Sequence, residues 1–221
     1  MRKTRRRCAL LFAAMMTGCV SERVAFALSD VPVEWQSASN ERYHATSCPL
    51  ISGSYTSKGI ARVFRRVDGK PQAPQDELVG AWRIGYSQRT GAREIVAADD
   101  SRVPSGIKID EVRIAQLNET RYEVYRPQRS GKIEIASFDS TAGDFSCTDG
   151  IIHLAVKRQA GSSEGTTNQT ELISSIYVAE DGALIVKQRM TSKASSLIFF
   201  RGEIITEDYA RFPRATPVPQ K

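Results

Sequence analysis

The sequence predicts an all-β protein, a single antiparallel meander of about nine to ten strands curled into a half-barrel or barrel, with a β-sandwich as the alternative. Three observations lead there. From Cys48 onward apolar residues recur with period two rather than 3.6. Asp-Gly pairs at 149–150 and 181–182 sit between β-prone runs, the strongest short hairpin signal. Helix signals are nearly missing, and a succession of hairpins must hide its sheet edges by curving, closing or being covered.

The elements follow in order. Ile51 to Tyr55 and Ile60 to Phe64 open the alternation. Val63 to Pro74 holds Asp68-Gly69 and two prolines and reads as turn or loop. Leu78 to Tyr86 reads as a strand weakened by Gly80 and Gly85. Ala92 to Ala98 fits a strand or a helical turn equally. Ile107, Ile109, Val112 and Ile114 form one run that needs a bulge to keep its phase. Tyr122 to Tyr125, a turn at Pro127–Gly131 and Ile133 to Ile135 make a hairpin. Phe145 to Cys147 and Ile151 to Val156 flank Asp149-Gly150, and Leu172 to Val178 and Leu184 to Val186 flank Asp181-Gly182. Residues 157–170 read as a polar loop. Ser196 to Ile205 supplies a last apolar strand, and residues 206–221 read as a tail, with one helical turn at Thr206–Arg211.

The β domain thus spans 48–205, and what precedes it is of another kind. Met1 to Arg7 is basic, Cys8 to Met16 is apolar, and Met16-Thr17-Gly18-Cys19 ends the run. The apolar core is too short for a membrane span, which needs about 20 such residues, so residues 1–18 read as a signal peptide. The four residues ending at Cys19 resemble the bacterial lipobox, with Met16 in place of the usual Leu. That resemblance implies a diacylglycerol on the Cys19 sulfur, cleavage before Cys19 and acylation of the new amino group. Val20 after the Cys resembles the pattern of lipoproteins sorted to the outer membrane, facing the periplasm. Cleavage after Ala25-Phe26-Ala27, giving a soluble periplasmic or secreted protein, is the alternative. Residues 19–47, rich in Ser and broken by Pro32, read as a tether, with Val33-Glu34-Trp35 as a short docked strand.

Removing the signal changes the charge argument. It carries five basic residues (Arg2, Lys3, Arg5, Arg6, Arg7) and no acidic ones, so the formal net charge of +6 falls to +1. The basic balance is therefore no footprint of nucleic-acid binding. Of four cysteines, Cys8 leaves with the signal and Cys19 takes the lipid, leaving Cys48 and Cys147. An oxidising compartment favours a Cys48–Cys147 disulfide, with two separate thiols as the alternative.

Cys48-Pro49-Leu50-Ile51-Ser52-Gly53-Ser54-Tyr55, together with Phe145-Ser146-Cys147-Thr148-Asp149-Gly150, resembles a group of proteobacterial lipoproteins in which a tether leads to Cys-Pro-x-Leu-x-Gly-x-Tyr. Ile51 departs from that pattern. The group brings no activity with it, so the resemblance implies location, disulfide and β architecture. Gly80-Ala81-Trp82 resembles the Gly-x-Trp opening of lipocalins, whose barrels hold apolar ligands, although strands precede it here.

Catalytic signals are weak. His44 and His153 are the two histidines. Neither has the positioned partner that general acid–base work needs in sequence, and no nucleophile-elbow, metalloprotease or phosphate-loop motif occurs. No cofactor or metal is called for. Arg62, Arg65 and Arg66 form one basic cluster, and Arg121, Arg126, Arg129 and Lys132 another. Both read first as solvated faces and second as contacts to anionic lipid. The expectation is a membrane-anchored module without catalysis of its own, which supports the envelope or binds an apolar ligand or an envelope protein; the alternatives are a lipocalin-like carrier of an apolar or lipid ligand and an enzyme whose site is not visible in the sequence.

Overall fold

The computed structural model describes residues 31–36, 48–84, 93–163, 166–196 and 201–215. Cys19, His44 and the signal lie outside them. Among the described residues there are fourteen strands, more than the sequence suggests: β1 (Gly53–Thr56), β2 (Lys58–Val67), β3 (Lys70–Pro71), β4 (Gln75–Gly80), β5 (Arg93–Ala97), β6 (Glu111–Asn118), β7 (Arg121–Pro127), β8 (Lys132–Asp139), β9 (Phe145–Thr148), β10 (Ile151–Leu154), β11 (Lys157–Ser163), β12 (Thr166–Val178), β13 (Leu184–Ser196) and β14 (Arg201–Phe212). Every pairing is antiparallel, as the hairpin succession predicts.

The strands form two sheets that do not close into a barrel. The smaller runs β1-β6-β7-β8-β5. The larger runs β3-β2-β14-β13-β12-β10-β9, with β4 also on β2 and β11 also on β12. They pack face to face around one apolar core that includes Tyr55, Ile84, Val112, Ile114, Phe138, Leu184, Val186 and Phe212. The result lies between a half-barrel and a sandwich, because strands pass from sheet to sheet along one side. The chain crosses at Ser57, whose N–H donates to the Asp110 carbonyl and whose carbonyl accepts from Ala81. It crosses again past Phe212: Thr56 N–H donates to Pro213 O and Ala215 N–H to Ser54 O, covering the edge of β1. Gly59 sits at this seam. A Cβ there would lie 2.3 Å from the Arg211 carbonyl oxygen and 2.8 Å from the Phe212 ring, so close approach requires glycine.

Turn chemistry holds the hairpins. Asp149 and Gly150 both have positive φ (52° and 72°), as do Asp68 and Gly69 (47° and 78°), the backbone of the primed turns that match strand twist. The Asp68-Gly69 turn lets β2 run on to Val67, where the sequence suggests a loop. Of the stretch 92–98, Arg93–Ala97 resolves as strand, and Ala92 lies outside the described residues. Ile107 and Ile109 precede β6 instead of joining it, and the bulge lies at Gln116–Asn118. Leu78 continues a strand only to Gly80, after which Ala81–Arg83 makes a 3-10 turn. Val33–Trp35 docks as a 3-10 turn too, not as a strand. Its neighbour Val31 and Trp35 pack with Phe64, Tyr177, Ile185 and Tyr209 on the outer face of the large sheet. Tyr177 donates its hydroxyl proton to the Trp35 carbonyl (2.9 Å).

Two expectations change most. The polar stretch 157–170 is β11 and the start of β12, paired residue by residue from Lys157↔Leu172 to Ser163↔Thr166. The boundary drawn at residue 205 falls inside β14, whose last residues are buried. Glu207 and Asp208 disguise it as a tail. In the fold each meets a cation: Lys187 lies 2.9 Å from Glu207 and Arg83 2.6 Å from Asp208.

Cys48 and Cys147 form the disulfide, with Cα atoms 5.0 Å apart and a sequence separation of 99. It ties the segment entering β1 to the edge strand β9. Beside it Tyr122 donates to the Pro49 carbonyl (3.2 Å) and stacks edge-on against Phe145.

Candidate binding groove

β12, β13 and β14 are 12 or 13 residues long, whereas the strands of the small sheet have 4 to 8. The large sheet therefore overhangs its partner. Register shows where cover ends. Leu184, Val186, Gln188 and Met190 alternate along one face of β13, and opposite them on β14 stand Phe212, Ala210, Asp208 and Thr206. The first two pairs are in the core. The second two open into a cavity of about 400 Å3.

The same alternation supplies its other walls. β12 contributes Thr170 and Leu172, β11 Lys157 and Gln159, β2 Val63 and Arg65, and β4 Glu77. Arg83 enters from the 3-10 turn after β4. Three cations thus face two carboxylates, over an apolar floor of Val63, Leu172 and Met190. Met190 remains partly exposed, and Lys157 is buried.

The deep end is polar and closed in. The Arg83 and Asp208 side chains are 13% and 11% exposed. Gln188 donates to the Ser174 hydroxyl oxygen at 3.4 Å, and both are buried. Burial pushes the Asp208 carboxyl above the ordinary carboxylate range, the nearby Glu77 and Glu207 act the same way, and Arg83 pulls against them. A buried pair of this kind contributes little net stability, because desolvation offsets the attraction. Its effect is positional: Arg83 is fixed at the groove's inner wall.

The residues singled out from sequence disperse. Arg65 faces the groove, but Arg62 and Arg66 lie on the opposite face of β2. Arg62 makes a two-pronged bond to Asp76 across the strand pair (2.9 and 3.0 Å). Arg126 is buried under the small sheet, donating to the Ile84 carbonyl and to Glu134. It is no solvated residue, and burial lowers its pKa. His153 lies on the outer face of the large sheet with Nδ1 3.1 Å from the Ser175 hydroxyl. Among the described residues no three potential metal ligands cluster. Between the sheets, the cavity lined by Ile51, Ile84, Tyr122 and Phe138 measures about 20 Å3, room for one water and not for a lipid.

Sequence reasoning missed the groove because its residues lie on six strands and a 3-10 turn, spread from Val63 to Asp208. One signal was present. The β13 run passes from Leu184-Ile185-Val186, apolar on both faces, to Lys187-Gln188-Arg189, polar on both. That switch marks where a covering sheet stops. Comparison with family models, curated proteins and solved structures finds no match for this chain.

Proposed function

We propose that this protein is a lipid-anchored, non-catalytic binding module of the bacterial envelope, moored through Cys19 and facing the periplasm, with the overhang groove as its binding surface. The observation that carries the reading is the pre-formed groove itself. A sheet that extends several residues past its partner leaves apolar Val63, Leu172 and Met190 within reach of Arg65, Arg83 and Lys157. Concave surfaces with an apolar floor and a few fixed polar groups are where ligands bind. The excess of cations suits an amphipathic partner with negative charge, most simply a segment of another envelope protein. The filled core between the sheets argues against a carrier that encloses a lipid as lipocalins do.

Two measurements test this. Cys19→Ala should move the protein from the membrane to the soluble fraction, and the mass of the wild-type N-terminal peptide should carry acyl chains. A photo-crosslinking residue at Met190 should capture a reproducible adduct in cells that one at Ile95, on the small sheet, does not. Arg65→Glu should abolish that adduct. Equal capture at both positions would refute the groove as the binding surface.

A further inference from the structure

The outer face of the large sheet, opposite the groove, is of a different character. Its alternating positions carry Lys58, Arg62, Arg66, Arg158, Lys187, Arg189, Lys193, Arg201 and Arg211, against Asp76, Glu171, Glu203 and Glu207 on the strands, Glu34 in the docked turn and Asp181 in the turn before β13. Nine cations thus oppose six carboxylates, five of the pairs being in ion-pair contact. On the same face Ile60 and Leu78 stand side by side across β2 and β4 and are 49% and 86% exposed. The docked turn adds Val33, 79% exposed, close enough for Glu34 to act on Arg62. Apolar side chains this open inside a basic field are not what a face turned to water carries.

The chain's own route says what covers it. Val31 is packed on this face, and only the eleven residues 20–30 separate it from Cys19. Fully extended, Cys19 to Val31 spans about 40 Å. A domain of this size is itself about 40 Å across. A lipid on Cys19 therefore holds this face nearest the membrane, and presenting the opposite face would use the whole tether to round the body.

Resting on the anchor proposed above, we infer that the outer face of the large sheet lies on the anionic phospholipid surface holding that anchor. Leu78, Ile60 and Val33 enter the headgroup layer, and the basic residues meet lipid phosphates. Apolar burial and electrostatic attraction add in such contacts. The groove then opens away from the bilayer, toward its partner.

The test uses the full acylated protein in vesicles of phosphatidylethanolamine and phosphatidylglycerol. The disulfide and the acylated Cys19 leave one reactive thiol in each of Leu78→Cys, Val33→Cys and Ile95→Cys, and all three positions are exposed enough to spare the fold. Each carries a polarity-sensitive fluorophore, and a quencher is attached to the lipid chains. The expected result is a large loss of emission at positions 78 and 33, none at 95, and a smaller loss with Lys58→Glu/Arg189→Glu. Full emission at 78 overturns the inference. So does a blue shift at 78 without quenching, accompanied by a 78–78 crosslink, which would mean that a second copy covers the face. Mass analysis of the N-terminal peptide reads the anchor separately. If acyl chains are missing, the anchor fails, and the Cys19→Ala form of the same variants, labelled at its one thiol and mixed with these vesicles, still reads the face by quenching at 78.

Discussion

The covered and overhanging halves of the large sheet share three strands and one unbroken register, yet they are different materials. In the covered half Leu184, Ile185 and Val186 are fully buried, Leu184 and Val186 in the inter-sheet core and Ile185 under the N-terminal turn. In the overhang Thr167 and Ser195 face one another across the strands, hydroxyl to hydroxyl at 2.6 Å. The backbone ladder continues unchanged through both. What changes is what the side chains gain. Burial drives the first half, at roughly 25 cal/mol per Å2 of apolar surface. The second half is held by hydrogen bonds and cross-strand pairs that contribute tenths of a kcal/mol each. A ladder once nucleated by a core can extend past it, and the extension is free to carry polar chemistry.

Substitutions should separate the halves. The largest contrast is Phe212→Ala against Met190→Ala. The first empties the seam and should cost about 4 kcal/mol, the second less than about 1 kcal/mol, read by denaturant unfolding. Comparable losses at the two sites would mean that the overhang is part of the core. Removing the disulfide with Cys48→Ala/Cys147→Ala should cost about 4 kcal/mol, because the bridge closes a loop of roughly 100 residues. Hydrogen exchange should show the loss shared by both sheets, since the bridge joins β9 to the entry into β1.

Asp208→Asn tests the boundary between the halves. It leaves the Arg83 charge buried without its counter-charge and should cost about 3 kcal/mol, and Arg83→Met/Asp208→Leu should restore most of it. A double variant as unstable as the single one would show that the pair does more than balance charge. The smallest effect concerns pH. Burial raises the Tyr122 hydroxyl from 10 to about 12. The folded chain keeps this proton where the unfolded chain has lost it, so stability should fall as pH rises from 10 to 12. Burial raises Tyr125, Tyr177 and Tyr209 in the same direction, so Tyr122→Phe should remove one part of that decline in an alkaline melting series.

Legibility in the sequence followed the same division. Asp149-Gly150 and Asp181-Gly182 announced their hairpins because Asp149, Gly150 and Gly182 take the left-handed backbone and Asp181 accepts from the Ala183 N–H. The disulfide could be read because two cysteines remained to pair. β11 and the start of β12 could not, because both runs are polar on both faces and their Gly, Ser, Asn and Gln outweigh the β-prone Thr. The start of β12 becomes strand through pairing with β13, up to 30 residues away, and β11 through pairing with β12 in turn. The end of β14 was hidden for another reason. Glu207 and Asp208 look solvent-facing until Lys187 and Arg83 arrive from distant segments. The groove combines both obstacles, and alternation placed Arg65 apart from Arg62 only once β2 had a partner.

The seam between β2 and β14 sets an order of events. Ile60 pairs with Arg211 and Ala61 with Ala210, so one of the first strands made waits for nearly the last. Until Phe212 has left the ribosome, no sandwich can assemble, and contacts so distant along the chain form slowly. A polypeptide built this way stays threadable while it is synthesised. The export proposed for it would then act on an open strand, with the sandwich completed after passage.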